Sequence, residues 1–435
     1  MSKNLFFMMG SQVVGIVLGF IVNVVIARSL GPAGKGYYDL VFGTAGLLVT
    51  FTGLSLASGV FYYASREALH YRQLFGVLLL ISLAQAVFGL ISLYILSSFS
   101  LSDLFLPQQD RFSALWLIPL VILSQQAGRF AQILLAGKAR FQSTSMRSVW
   151  AQVLTTVILV GLFISGTTLP SRFIIASLLV SILSTVMAVR EVWSLPLTSN
   201  QLFLKEALIY SLPLALGNAI QFLNYKLDIF IVNNYQGVYA VGVYTLAVTS
   251  AQMLWLVPNN LATLILNKAA ADKEGRWSLE QVALLTRLSL WLSLLLGVGA
   301  ALFSPLLTSF IYGERFQASV RPLLLLLPGI VLFSVTIILS SQLAGVGKQV
   351  YTTIVAAIAF VITLVLDLLF IPRYGASGAA IASTCSYTLS MLLTWYYFKR
   401  VYPIARLSDF ILLQRQDVFR IWAYFQRTVQ RMGAH

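Results

Sequence analysis

The chain has 435 residues, 58% of them hydrophobic and only 10% charged, with a mean hydropathy of +0.85 and a formal net charge of +15. A soluble domain carries about 25% charged residues, so this composition excludes a soluble globular protein. The lone Cys385 and two distant histidines, His70 and His435, exclude an intrachain disulfide, a thiolate cluster and a Cys–His nucleophile, and no metal site or cofactor is expected.

Apolar runs recur along the chain, each long enough to cross a hydrocarbon core of roughly 30 Å as a helix. They cover about 5–29, 37–63, 74–98, 113–136, 148–168, 171–193, 207–235, 238–267, 283–311, 321–346, 350–371 and 376–400. A membrane β-barrel would show short alternating segments instead. The predicted class is therefore all-α, a polytopic membrane protein of about 12 transmembrane helices. The first run is too long for a signal-peptide core and leads directly into another span, so it reads as a retained helix. With the N-terminus inside, most of the 29 basic residues fall on inner loops and the tail, among them Lys138, Arg140, Lys268, Lys399 and Arg400. That bias places both termini in the cytoplasm. It also argues against nucleic acid, whose binders gather bases on a soluble face.

Two halves repeat. IARSLGPAGKGYYDL (Ile26–Leu40) aligns with VNNYQGVYAVGVYTL (Val232–Leu246) at an offset of 206, matching Gly31 with Gly237, Gly36 with Gly242, Tyr38 with Tyr244 and Leu40 with Leu246. LLAGK (Leu134–Lys138) and QLAGVGK (Gln342–Lys348) follow at nearly the same offset. Two six-helix lobes are expected, 1–200 and 201–400, ahead of a cytoplasmic basic tail at 401–435. Parallel repeats of this kind place the substrate site in a central cavity between lobes.

ARSLGPAGKGYYDL after the first span and LFIPRYGASGAAIAS (Leu369–Ser383) near the end resemble the polysaccharide transporter family. Its members are the Wzx-type oligosaccharide flippases of the multidrug/oligosaccharidyl-lipid/polysaccharide exporter superfamily. The resemblance covers essentially the whole chain. It departs from the family at Asp367, a position that is commonly Asn in relatives. The resemblance implies a transporter of the bacterial inner membrane. Such a protein flips an undecaprenyl-pyrophosphate-linked oligosaccharide from the cytoplasmic to the outer leaflet for surface polysaccharide synthesis. It also implies coupling to an H+ or Na+ gradient, and as partners membrane lipids, the lipid-linked glycan, and the polysaccharide polymerase and chain-length machinery.

Polar groups inside apolar spans mark the candidate site, because they are expensive in lipid and face the bundle interior or water. Lys226 lies about nine residues before the end of its span, roughly 14 Å deep at 1.5 Å per residue. Lys226 and Asp228 are two residues apart and do not face each other, whereas Gln221, Asn224 and Asp228 share a face. Arg129 sits with Gln125 and Gln132 on one face of QQAGRFAQ. Arg28 closes the first span. Substrate contacts are thus expected from Lys226, Arg129, Arg28, Gln221 and Asn224, with snorkelling, interhelical bonding or interfacial anchoring as the structural alternatives. Asp228, Asp39 and Asp367 are the ion-coupling candidates, with salt bridges the alternative for the last two and simple exposure a further one for Asp39. In the repeat Lys226 corresponds to Phe20, Asp228 to Val22 and Asp39 to Thr245, so the charges are not demanded by the repeat itself.

Pro119, Pro213, Pro258, Pro305 and Pro328 are expected to kink their spans. Gly10, Gly15 and Gly19 form a small-residue strip, and Cys385 is expected to pack between helices. Ser408–Met432 reads as a basic amphipathic helix, capped by Ser408, lying on the cytoplasmic leaflet, with docking of a partner as the alternative. Three other functions fit less well. A multidrug exporter of the same superfamily would favour carboxylates for cationic cargo. A peptidoglycan-precursor flippase commonly has two more spans. A glycan polymerase or ligase would carry a large catalytic outer loop, and the longest here is near Leu101–Phe112.

Overall fold

The computed structural model describes residues 3–66, 71–98, 102–107, 110–137, 141–193, 204–272 and 279–414. Among them there are helices and no strands. The first half holds α1 (Lys3–Thr52), α2 (Leu56–Arg66), α3 (Tyr71–Ser98), the short α4 (Ser102–Phe105), α5 (Arg111–Gly137), α6 (Phe141–Ile164) and α7 (Pro170–Trp193). The second holds α8 (Leu204–Gln252), α9 (Leu256–Ala271), α10 (Leu279–Tyr312), α11 (Val320–Gly345), α12 (Gln349–Tyr374), α13 (Ala376–Val401) and α14 (Leu407–Ile411). Among the described residues, eight helical stretches have the length and apolar composition of membrane spans, covering α1, α3, α6, α7, α8 with α9, α10, α11 and α12, and many large side chains on them face outward, such as Leu80, Trp150, Leu302 and Phe310. With no soluble domain among the described residues to cover them, those faces belong in lipid.

Two sharp breaks fall at glycine. α1 and α8 are each two helices joined at Gly31 (φ 65°, ψ −175°) and Gly237 (φ 73°, ψ −179°). That region of backbone space is essentially open to glycine alone. After Gly31, Pro32 opens the next helix where its missing N–H costs nothing. The two breaks are the same distortion at the offset of 206 read from the sequence.

The repeats meet at their own equivalent positions. Gly36 lies against the backbone of Val238 and Gly242, and Gly242 against that of Pro32 and Gly36. Val238 is the sequence counterpart of Pro32, so the contact is reciprocal, as a twofold-related pair of surfaces must be. Beside it, Thr245 donates to the carboxylate of Asp39, its own counterpart.

A second break was not expected. The span predicted over 37–63 stops at Thr52 and resumes at Leu56, with Leu54 and Ser55 at positive φ. Thr50 and Thr52 both turn their hydroxyls back to carbonyls of the preceding turn, which weakens and bends a helix, and Gly53 follows. Asn218 of α8 donates to Ser55 Oγ at 2.8 Å.

By contacts the chain forms two compact units. The first comprises Met1–Leu246, Pro305–Val320 and Leu366–Ala379; the second comprises Ala247–Ser304, Arg321–Val365 and Ala380–His435. In the first unit, α2, α3, α5 and α7 share a core around Leu74, Phe75, Leu78 and Phe130, and α1 packs on α5 and α7 through Val41, Ala45, Ile118 and Ile174. In the second, Trp255 donates its indole N–H to Ile330 O at 2.9 Å and packs on Phe333 and Tyr387. Trp291 and Arg287, one turn apart on α10, hold the backbone carbonyls of Ile411 and Asp409. Two expectations change here. α14 begins at Leu407 after Arg406, so Ser408 is not its cap; its hydroxyl instead approaches Asp409 Oδ1. Cys385 is exposed on α13 rather than packed between helices. The predicted tail helix stops at Ile411, where Leu412 turns extended, and its stretch beyond Gln414 lies outside the described residues.

Candidate functional site

Three consecutive helices of the first unit each carry a polar stripe at i, i+4 and i+7, the spacing of one helical face. On α5 it is Gln125, Arg129 and Gln132; on α6, Ser148, Gln152 and Thr155; on α7, Ser177, Ser181 and Ser184. All nine line one pocket of about 550 Å3, closed on its far side by Gly19, Val22, Tyr38 and Phe42 of α1. The stripe on α5 is exposed while Leu117, Ile118, Val121 and Phe130 of the same helix are buried. The Gly15–Gly19 strip has a use: it is the notch that receives the Gln152 amide, whose Oε1 lies 3.0 Å from where a Gly15 Cβ would be. Gly10 meets nothing.

Four of the pocket's hydroxyls are spent as donors. Thr155 bonds Ala151 O at 2.8 Å, Ser177 bonds Phe173 O at 2.9 Å, Thr185 bonds Ser181 O at 2.8 Å, and Ser124 bonds Val121 O at 3.2 Å. Their oxygens remain as acceptors towards the pocket. Arg129 is the one cation among the lining residues, no carboxylate accompanies it, and among the described residues its guanidinium has no hydrogen-bond or ion-pair partner.

Val22 and Tyr38 in this wall are the repeat counterparts of Asp228 and Tyr244. The equivalent place in the second repeat is chemically different. Asp228 is 5% exposed and accepts from the Tyr244 hydroxyl and the Ile229 N–H. Asp367, on α12, is 0% exposed, and among the described residues neither carboxyl oxygen has a hydrogen-bond partner. The two carboxyls interact electrostatically, and the Lys226 charge acts on Asp228. Lys226 itself is exposed, as is Gln221, which hydrogen-bonds Tyr225; Asn224 is half-buried. Gln221 and Asp228 thus share a helical face by spacing but not an environment.

The other two candidates have local partners. Arg28 donates Nε to Ile311 O at 2.8 Å and another N–H to Phe310 O, so it caps the end of α10 beside Arg315. Asp39 pairs with Lys35 at 2.7 Å, where Lys35 is 3% exposed. Truncating one member of a buried pair strands the other charge, at about 3–5 kcal/mol. Asp39→Ala is therefore expected to lower the melting temperature of the purified protein sharply. Adding Lys35→Met to Asp39→Leu should recover most of the loss. An Asp39→Ala protein as stable as the parent would show that the pair contributes nothing.

The polysaccharide biosynthesis protein family matches residues 25–321, which takes in the pocket helices, Lys226 and Asp228. The chain belongs to that family. A relative within polysaccharide biosynthesis, the capsular protein CapF of Staphylococcus aureus, is 23% identical over 202 residues, 46% of this chain and 51% of CapF. The chain thus spans about half the length of that curated relative. The lipid II flippase MurJ in an inward closed conformation has the same fold: TM-score 0.76, 15% identity, over 97% of this chain and 93% of MurJ. An inward-facing multidrug resistance MATE family transporter of the MOP superfamily follows with TM-score 0.72 and 15% identity, over 89% of this chain and 94% of its own. A MOP superfamily transporter of Pyrococcus furiosus, described as having a binding pocket of reverse polarity, gives 0.61 at 14% identity over 92% and 94%. This family member therefore has the two-lobed membrane fold shared by flippases and exporters, and its named relatives are not enzymes.

Sequence reasoning found one of the three polar stripes. The family member's α6 and α7 stripes were present as i, i+4, i+7 runs of Ser, Thr and Gln, but without a charge they look like ordinary helix-packing residues.

Proposed function

We propose that this protein flips undecaprenyl-pyrophosphate-linked oligosaccharides from the cytoplasmic to the outer leaflet of the bacterial inner membrane, with both termini in the cytoplasm. The observation that carries this reading is the nine-residue polar surface around Arg129 in the midst of apolar helices. An anionic glycan cannot cross hydrocarbon unaided, because burying its charge without a partner is very costly. The pocket offers amides and hydroxyls for sugar and one cation for charge. Lys226, Gln221 and Asn224 line its route on α8, and Arg28 serves at the far end of the first span. An exporter of cationic drugs needs carboxylates in its pocket, and none lines this one.

Coupling is assigned to Asp228 and Asp367, which take up a proton or a sodium ion and release it as the transporter alternates. Hard cations want several oxygen ligands. Two carboxyls and the Tyr244 hydroxyl supply some of these, and they serve a proton equally well. Asp39, held by Lys35 and Thr245, keeps the crossing of the repeats in register and couples it to the ion. The polymerase and chain-length machinery take the unit over at the outer leaflet.

The test uses a deletion strain complemented with the parent gene, Arg129→Ala or Lys226→Ala. Surface polysaccharide and the leaflet position of the lipid-linked unit are assayed together. Both variants should reach the membrane at normal levels and lower flipping by at least about tenfold, the worth of a lost charge-assisted hydrogen bond. Unchanged surface glycan in the deletion strain would overturn the substrate and make drug export the activity to assay.

A further inference from the structure

The polarity of the pocket on α5, α6 and α7 says more than that it suits a glycan. Building on the flippase reading, we infer that this pocket takes an acidic sugar residue of the carried glycan, with Arg129 paired to the sugar carboxylate and the surrounding oxygens accepting from its hydroxyls.

Three observations separate this from binding of the lipid diphosphate. The first is donor and acceptor balance. Thr155, Ser177, Thr185 and Ser124 donate into their own helices, so what they present to a ligand is oxygen lone pairs. A diphosphate has only acceptors and leaves these four oxygens unanswered, so it would use only Arg129, the glutamine amides and the hydroxyls of Ser148, Ser181 and Ser184. A sugar ring carries a hydroxyl on nearly every carbon, and each can donate. The second is charge. One guanidinium stands among nineteen lining residues with no second cation and no acid. It matches a single negative charge, and its planar fork matches a carboxylate in bidentate geometry. A neutral sugar would leave that guanidinium unpaired, because among the described residues it has no protein partner. The third is size. About 550 Å3 falls within the roughly 300–1,000 Å3 of small-molecule sites, enough for one or two sugar rings and their water. Gln125, Gln132 and Gln152 supply both amide donors and acceptors around the ring.

The experiment is ligand-observed NMR on the full chain in nanodiscs, with methyl glucuronide, methyl glucoside and inorganic pyrophosphate as probes. Methyl glucuronide should bind at least about tenfold more tightly than methyl glucoside, since a charge-assisted bond distinguishes them. Arg129→Gln should abolish that preference by lowering glucuronide affinity to that of the glucoside. Arg129 is exposed to the pocket rather than packed in the core, and a melting curve checks that the variant is folded. Thr155→Val, which keeps the shape and removes one acceptor, should weaken both sugars alike. Equal binding of the two sugars by the parent chain, or glucuronide binding indifferent to Arg129→Gln, overturns the inference. So does pyrophosphate displacing the glucuronide at lower concentration than the glucuronide itself requires. The leaflet assay reads the transport function separately. A chain that flips its lipid-linked unit but ignores methyl glucuronide keeps the function and loses this site.

Discussion

Replacing Gly36 or Gly242 with alanine is expected to destabilise the protein more than any other single methyl group added to it. A Cβ on Gly36 would sit 1.8 Å from Val238 O, and one on Gly242 would sit 1.9 Å from Pro32 O. The obstructing atoms are backbone, so no rotamer change relieves them. α1 and α8 would have to separate by more than an ångström along a crossing that also holds the Asp39–Thr245 bond. Overpacking in a core costs about 1–3 kcal/mol where side chains can yield; here they cannot, and a loss above about 3 kcal/mol is expected, at the diagnostic end of point-mutation effects. The two sites share one contact, so the double variant should cost less than the sum of the singles. Gly217→Ala is the control, since its Cβ would meet nothing within 4 Å, and it should fall within about 0.5 kcal/mol of the parent. Residual monodisperse protein after heating in detergent reads all four. A Gly36→Ala protein that melts with the Gly217→Ala control would mean that the crossing opens at little cost.

That crossing shows what kind of information the sequence holds. Glycines at matched positions of a repeat were legible, as was the offset, because both are local patterns. That Gly36 and Gly242 touch each other was not legible, because nothing in either segment specifies its partner. The spans were legible for the same local reason: long apolar runs bounded by glycine, proline and charge. The break after Thr52 was hidden, since Thr50 and Thr52 read as ordinary apolar-span residues until their hydroxyls are seen on the preceding turn. The site followed suit. Arg129 stood out because charge in an apolar run is rare, but the serines, threonines and glutamines that complete its pocket carry no such flag. Lys35 was not among the candidates, although it stands one helical turn before Asp39 and is the residue that neutralises it.

Asp367→Asn is expected to separate stability from transport. The side chain is 0% exposed, and among the described residues its carboxyl oxygens accept no hydrogen bond. An ionised carboxylate in such a place carries a desolvation cost of several kcal/mol, which a proton or a bound cation removes. Asparagine has nearly the same volume and no charge to neutralise. The variant should therefore melt at or above the temperature of the parent, and its melting should no longer respond to sodium ions or to pH where the parent's does. On the coupling role proposed for Asp367, flipping should fall by at least about tenfold, because the step that follows ion release would be lost. Asp228→Asn should differ. Its remaining carbonyl oxygen can still accept from Tyr244 or Ile229, one good bond is lost rather than a buried charge relieved, and stability should drop by about 1 kcal/mol. The contrast follows from the repeat: where the first half has Val22 and Tyr38 in the wall of a cationic pocket, the second has Asp228 and Tyr244 beside Asp367. An Asp367→Asn protein that flips its substrate at the parent rate would remove Asp367 from the coupling path. One that fails to fold would show the carboxylate to be structural.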